Sequence, residues 1–108
     1  MATTVVVNVK HEECDVYIGR AMRGRRASRF QNLHHIGKDG SRAEVIERYR
    51  KDILALLRSD PSLQAELEAM RGKRIGCWCK PWACHGDILV ELLEGPAVPV
   101  IEPQGCLF

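Results

Sequence analysis

The densest group of chemically reactive side chains lies in the segment C-W-C-K-P-W-A-C-H-G-D, residues 77–87. Thiols and imidazoles act as nucleophiles, proton carriers and ligands for soft metal ions, and carboxylates orient or neutralise them. The segment carries five such side chains: Cys77, Cys79, Cys84, His85 and Asp87. It is therefore the first candidate for a functional site.

One interpretation is a reactive, anion-binding turn at the start of a helix. An apolar helical period follows Cys84, which places this cysteine at or near a helix N-terminus. Backbone N–H groups attract anions there, and the helix dipole favours the thiolate. We therefore expect Cys84 to be a nucleophile and His85 to transfer protons near neutral pH. Asp87 is expected to accept an N–H bond or to orient His85.

A second interpretation is a metal centre. Cys77 and Cys79 alternate along a predicted strand, so both thiols reach the same side and a single ion. Zinc takes four ligands, of which Cys84 would be the third and Cys14, His11 or another chain the fourth. An iron–sulfur cluster also takes thiolates, but this run lacks a fourth cysteine. Zinc is thus the possible cofactor, and a third reading makes these cysteines small buried strand residues.

A basic stretch over residues 20–40 is the second candidate. It holds one acid, Asp39, near its end, and six basic residues before that acid: Arg20, Arg23, Arg25, Arg26, Arg29 and Lys38. Such a loop can bind the phosphates of a nucleotide or a nucleic acid, or simply be solvated. Stacking surface for a single strand comes only from Phe30 and the pair His34–His35. Arg20 directly follows a predicted strand end, so we expect it to bind an anion more strongly than the other arginines; the alternative is an ion pair with Asp15 or Asp87.

The elements that must position these residues follow from apolar periodicity. Strands are predicted over residues 4–9, 16–18 and 73–79, and helices begin near residues 41, 60 and 84. Ser41 and Glu44 predict a capping box, and Asp60 with Pro61 predicts a second helix start. One apolar face is expected on the first helix: Val45, Ile46, Tyr49, Ile53, Leu56 and Leu57. This order of elements favours a parallel sheet with ligands at the carboxyl ends of its strands.

Composition limits the class of protein. The chain has 108 residues, of which 45% are hydrophobic and 28% charged, with a net charge of +2. These proportions suit one globular domain and argue against disorder throughout. No apolar run reaches the about 20 residues of a membrane span, so no membrane association is expected. An odd number of cysteines without a secretory signal predicts a cytoplasmic protein rather than a disulfide scaffold.

Four segments together resemble the DUF4326 family of small bacterial and phage proteins: V-V-N-V, D-V-Y-I-G-R, I-G-K-D-G-S-R with E-V-I-E-R-Y-R, and G-K-R-I-G-C-W-C-K-P-W-A-C-H-G-D. The resemblance covers residues 5–94, and Y-I-G-R and C-W-C…C-H-G-D are its signature. Where many members look like G-N-P-F, this chain has Q-N-L-H at residues 31–34. The C-H corner is also similar, locally, to C-H-R in the DUF488 family.

These observations predict a small, single-domain, Rossmann-like α/β sandwich over residues 1–95, with a mostly parallel sheet, flanking helices and a proline-rich tail over 96–108. The predicted function is binding of a small anionic ligand, a nucleotide or phosphate compound, with possible catalysis at the C-H-G-D corner. Its expected ligand-binding residues are Asn8, Tyr17, Gly19, Arg20 and Gly86. The rival is a zinc or iron–sulfur interaction module that contacts nucleic acid or a partner protein through residues 20–29. The oligomeric state stays open.

Overall fold

A computed structural model describes residues 3–22 and 24–95. The strands are Val5–Asn8 (β1), Val16–Tyr17 (β2) and Arg74–Cys77 (β3), and the helices are Arg42–Ser59 (α1), Pro61–Glu68 (α2) and His85–Glu94 (α3). The tail predicted over 96–108 lies outside the described residues. No helix within the described ranges is long and apolar enough to cross a membrane.

The three strands form one parallel sheet in the order β1-β3-β2. Val5 pairs with Arg74 and Asn8 with Cys77, so the first strand and the cysteine-rich strand are neighbours in the sheet. The mixed α/β class and the parallel sheet are therefore confirmed. The predicted strand through residue 79 is wrong, because β3 ends at Cys77. The Asn8 amide binds the carbonyl oxygens of Trp78 and Lys80 and so draws the chain out of the sheet.

Helices α1 and α2 begin where their caps predict. Ser41 and Glu44 form the capping box of α1, and the Asp60 side chain accepts the N–H groups of Ser62 and Leu63 at α2. On α1 the buried residues are Val45, Tyr49 and Ile53. Leu56, expected on the apolar face, is 50% exposed, whereas Leu57 packs partly against the core. The i, i+4 row that begins at Val45 continues through Leu57, and Leu56 lies outside it.

Helix α3 joins the sheet to the other helices, since it contacts β1 and β3 as well as α1 and α2. Its buried apolar side chains are Ile88, Leu89 and Leu93. Gly86 lets its first turn approach the sheet closely: a Cβ there would lie 2.9 Å from Cδ1 of Ile18 and 3.0 Å from both methyls of Val6. The N-terminus of α3 is thereby held against the sheet edge at which the strands end.

Candidate functional site

A cavity of about 190 Å³ opens where β2 and β3 end. Its polar wall includes two guanidinium groups, those of Arg20 and Arg42, and the rings of His34 and His85. Its apolar wall includes Met22, Ile36, Val45 and Ile46. Within the described part of the chain no carboxylate lines this cleft. The cleft therefore combines apolar surface with excess positive charge.

The structure gathers most of the predicted site residues around this cleft. Six of them line it: Gly19, Arg20, Cys77, Cys79, Cys84 and His85. The other four do not line it: Asn8, Tyr17, Gly86 and Asp87. Gly19 borders Tyr17 so closely that a Cβ would lie 2.4 Å from the phenol oxygen. Gly19 and Gly86 thus contribute close packing of the backbone.

Asn8 and Tyr17 position chain segments beside the cleft through hydrogen bonds. Asn8 Nδ2 donates to the Lys80 carbonyl at 2.7 Å and to the Trp78 carbonyl at 3.3 Å, while its Oδ1 accepts the Lys10 N–H at 2.9 Å. The Tyr17 hydroxyl accepts a hydrogen bond from Trp78 Nε1 at 2.7 Å and donates to the Arg20 carbonyl at 2.6 Å. In this structure both side chains position the turn after β3 and the start of the basic loop.

The N-terminus of α3 is closed by a second capping box. Cys84 is the N-cap, and its Sγ accepts the Gly86 N–H at 3.3 Å. Asp87 Oδ2 accepts the Cys84 N–H at 3.1 Å, and Oδ1 pairs with Lys80 Nζ at 2.7 Å. Both carboxylate oxygens are engaged in this way. Of the two roles expected for Asp87, the structure shows the N–H bond.

Three thiols meet at the floor of the cleft. The sulfurs of Cys77 and Cys84 are 3.1 Å apart, and the Cys79 N–H donates to Cys77 Sγ at 3.5 Å. Hydrogen bonds from the other two thiols lower the pKa of Cys79, and the Arg42 guanidinium adds to this. The same hydrogen bonds, together with burial, raise the pKa of Cys84. Burial and the contacts with the neighbouring sulfurs therefore oppose the expected effect of the helix N-terminus on Cys84, and its role as a nucleophile stays a prediction.

The imidazole of His85 is buried. Its Nε2 lies 2.8 Å from the Ile18 carbonyl oxygen, which can only accept, so Nε2 carries the proton. The Tyr49 ring meets it edge-on at 5.0 Å, and burial lowers the pKa of His85. This leaves Nδ1 as the ring atom able to take a proton during a reaction.

The two arginines of the cleft are fixed by backbone carbonyls. Arg20 donates from Nε to Asn32 at 2.8 Å and from a terminal nitrogen to His34 at 3.0 Å, in place of the ion pair with Asp15 or Asp87 considered above. Arg42 donates to the Ala83 carbonyl at 2.8 Å. A guanidinium has five N–H donors, so each keeps some for a ligand.

Sequence reasoning missed Arg42, although it recognised the helix that Arg42 begins. It also missed Trp82, which is 66% exposed and lies 6.0 Å from the Arg42 guanidinium. The available signal was the parallel sheet itself, because helices that follow parallel strands bring their N-termini to the edge where the strands end.

Two further arginines of the basic loop, Arg25 and Arg29, contact other side chains of the protein. Arg29 pairs with Asp60 at 2.5 Å and with Glu66. The Arg25 guanidinium lies 5.0 Å above the Tyr17 ring. Phe30 is 1% exposed, so the expectation that it offers stacking surface is wrong: its ring fills the core beside Tyr49, whose hydroxyl donates to the Phe30 carbonyl.

The arrangement of the three thiols differs from that of a zinc centre. Among residues 3–22 and 24–95, no group of three or more His, Cys, Asp or Glu side chains is arranged to hold a metal ion. Two thiolates on one tetrahedral zinc lie about 3.8 Å apart, given Zn–S bonds of about 2.3 Å. The 3.1 Å between Cys77 and Cys84 is shorter. Zinc binding by Cys77, Cys79 and Cys84 stays a prediction.

Comparison with known proteins confirms the family to which the sequence shows a resemblance. The profile of the family described as Domain of unknown function (DUF4326) matches residues 6–95. The chain belongs to this family. It is also similar to the "Uncharacterized 12.4 kDa protein in nrdA-td intergenic region" of Enterobacteria phage T4, at 44% identity over 62 residues. That match spans 56% of this chain and 57% of the phage protein, and no solved structure matches.

Proposed function

We propose that this DUF4326 member binds a small anionic compound, a nucleotide or another phosphate compound, in the cleft at the sheet edge. One observation carries the proposal: Arg20 and Arg42 line a cleft that no described carboxylate lines. The carboxyl ends of parallel strands are where open α/β sheets bind ligands. Guanidinium groups bind phosphate oxygens through charge-assisted, often paired, hydrogen bonds.

The size of the cleft narrows the ligand class. Pockets for drug-sized ligands commonly have about 300–1,000 Å³, whereas this one has about 190 Å³. A phosphate with one sugar or one base fits such a space better than a dinucleotide. The apolar wall of Val45 and Ile46 suits the uncharged part of such a ligand, while Arg20 and Arg42 neutralise the anion.

For catalysis in this cleft we propose Cys79 and His85 in place of the predicted trio Cys84, His85 and Asp87. Cys79 lines the cleft and is only half-buried, whereas Cys84 is 2% exposed. His85 Nδ1 is the proton acceptor left by the Ile18 hydrogen bond. Asp87 supports both by fixing the first turn of α3.

The test is a titration with inorganic phosphate and with nucleoside monophosphates, followed by tryptophan fluorescence, since Trp78 lines the cleft. Arg42→Gln and Arg20→Lys are compared with Arg26→Gln, which removes one charge from the same loop outside the cleft. Losing a charge-assisted hydrogen bond costs about 1.5–3 kcal/mol, so we expect Kd to rise about tenfold or more in the two cleft variants only.

A melt of each variant separates binding from folding. Arg20 also bonds two backbone carbonyls, so early melting with normal affinity in Arg20→Lys would make it a structural residue. Equal loss of affinity in Arg26→Gln would indicate attraction by net charge without a site. One equivalent of zinc or iron in the purified protein, with no anion binding, would favour the metal-stabilised interaction module instead.

A further inference from the structure

The three thiols at the floor of the cleft differ in exposure. Cys79 is half-buried and lines the cleft, whereas Cys77 and Cys84 are 1% and 2% exposed. The two buried sulfurs are 3.1 Å apart, so an approach of about 1 Å would bring them to the about 2.05 Å of a disulfide bond. A reagent from solvent meets Cys79 first, and an oxidised product fits best between Cys77 and Cys84.

We propose that Cys77, Cys79 and Cys84 form a thiol–disulfide exchange site, in which Cys79 reacts with a low-molecular-weight disulfide and the buried pair becomes the final disulfide. Packing alone does not explain the arrangement, because all three thiols line the cleft and one of them, Cys79, is only half-buried. Capping alone does not explain it either, because cysteine is not among the favoured N-cap residues.

The chemistry proceeds in three exchanges. The Cys79 thiolate attacks one sulfur of R–S–S–R, forms a mixed disulfide and expels R–S⁻. Cys84 then attacks Cys79 Sγ, expels the second R–S⁻ and forms a Cys79–Cys84 disulfide. Cys77 attacks Cys84 Sγ, which forms the Cys77–Cys84 disulfide and returns the Cys79 thiolate. The two released thiolates take up the protons of Cys77 and Cys84, so two protein thiols are oxidised and one disulfide is reduced to two thiols.

The preferred disulfide carries carboxylates, and this part rests on the proposed function of the cleft. Arg20 and Arg42 attract anionic groups at the entrance to Cys79. An acidic disulfide is therefore expected to react faster than a neutral one, after each rate is divided by its rate with free cysteine. A loss of this preference alone would contradict the anion site and leave the exchange site standing.

The experiment adds one equivalent of the dianionic aromatic disulfide DTNB to full-length protein carrying Cys106→Ser. Two equivalents of the yellow thiolate are expected, and the protein should lose two hydrogen masses without gaining an adduct. Chymotrypsin cleavage after Trp78 and Trp82 puts the three cysteines on separate peptides, so the bridge can be located. We expect it between Cys77 and Cys84, with Cys79 free.

Two variants complete the test. Cys79→Ser should slow the first release at least about tenfold, because the remaining pair is shielded. Cys14→Ser, the matched control outside the cleft, should leave rate and stoichiometry unchanged. A stable adduct on Cys79 with one equivalent released, a rapid reaction in Cys79→Ser, or protection of all three thiols until a chelator is added would each overturn the proposal.

Discussion

Helices α1 and α3 both begin with a capping box, but α1 uses Ser41 and Glu44 whereas α3 uses Cys84 and Asp87. At α1 the Ser41 N–H donates to Glu44 Oε1 at 2.8 Å, and Ser41 Oγ accepts the Glu44 N–H at 3.2 Å. Both residues are exposed. At α3 the same exchange takes place with a 2% exposed cysteine beside two other thiols.

The difference shows which residues helix formation explains. Serine is a favoured N-cap, so Ser41 and Glu44 are accounted for by the ends of α1 alone. The hydrogen bonds from Ser41 to the Glu44 carboxylate favour its charged form and so lower the pKa of Glu44. The thiol of Cys84 is a weaker hydrogen-bond acceptor than a serine hydroxyl, so capping alone does not explain a cysteine here. Its contact with Cys77 at the floor of the cleft supplies a further reason.

The largest contrast is expected from removing the acid of each box. Asp87→Ala leaves the N–H of Cys84 unpaired at a buried position and takes the partner from Lys80. We expect a loss of about 2–3 kcal/mol in the free energy of unfolding. Glu44→Ala, at an exposed helix start where solvent screens the charge, should cost clearly less than Asp87→Ala. Urea unfolding of both variants measures the two losses, and equal losses would contradict the distinction between the boxes.

The second residue of each helix should give a smaller contrast. Gly86 occupies this position in α3 and Ala43 in α1. Gly86→Ala places a Cβ against Ile18 and Val6, so overpacking is expected to cost about 1–2 kcal/mol despite the better helix propensity of alanine. Ala43→Gly should cost about 0.5–1 kcal/mol through propensity alone. A stabilised Gly86→Ala would show that the sheet has room for the methyl group.

Local rules predicted the elements of this fold well. The capping box at Ser41, the Asp60 cap with Pro61 and the helix start at Cys84 each depend on residues within one turn, and the structure confirms all three. The parallel sheet that contains β1 and β3 followed from the order of strands and helices along the chain. The helix starts are readable because they depend on near neighbours, and the sheet is readable because it depends on the order of elements rather than on any particular side-chain contact.

Features that depend on distant contacts were not readable from the sequence. Strand β3 ends at Cys77 because the Asn8 amide, about 70 residues earlier in the chain, donates to the carbonyl groups of Trp78 and Lys80 that follow it. Arg42 reaches the cleft only because α1 begins beside the turn that contains Ala83. The opposite directions in which the pKa values of Cys79 and Cys84 move likewise depend on burial and on contacts between the sulfurs, which the helix position of Cys84 alone does not reveal.

A pH titration sharpens the comparison further, because α3 has the buried His85 at its first position and α1 the partly exposed Arg42. Burial lowers the pKa of His85 below its ordinary 6.5, and the nearby charge of Arg20 lowers it as well. Cys79 and Asp87 act in the opposite direction but are outweighed. The unfolded chain therefore binds the proton first, so stability is full above pH 6.5 and falls as the pH drops below it. Melts between pH 7.5 and 5 should show this loss in the wild type and in His11→Gln, and a smaller one in His85→Gln.

The smallest effect on stability is expected from exchanging the two caps, and it bears most directly on the role of the thiol. Cys84→Ser supplies a better N-cap oxygen but loses the contact with Cys77, so the free energy of unfolding should change by no more than about 0.5 kcal/mol. Ser41→Cys, at the exposed box, loses a good cap and should cost about 0.5–1 kcal/mol.

If both results hold, serine caps at least as well as cysteine at both helix starts, so capping cannot be the reason for a cysteine at position 84. In Cys84→Ser no Cys77–Cys84 disulfide can form after one equivalent of DTNB, while the protein melts as the wild type does. A loss of 2 kcal/mol or more would instead assign Cys84 to the packing of the core.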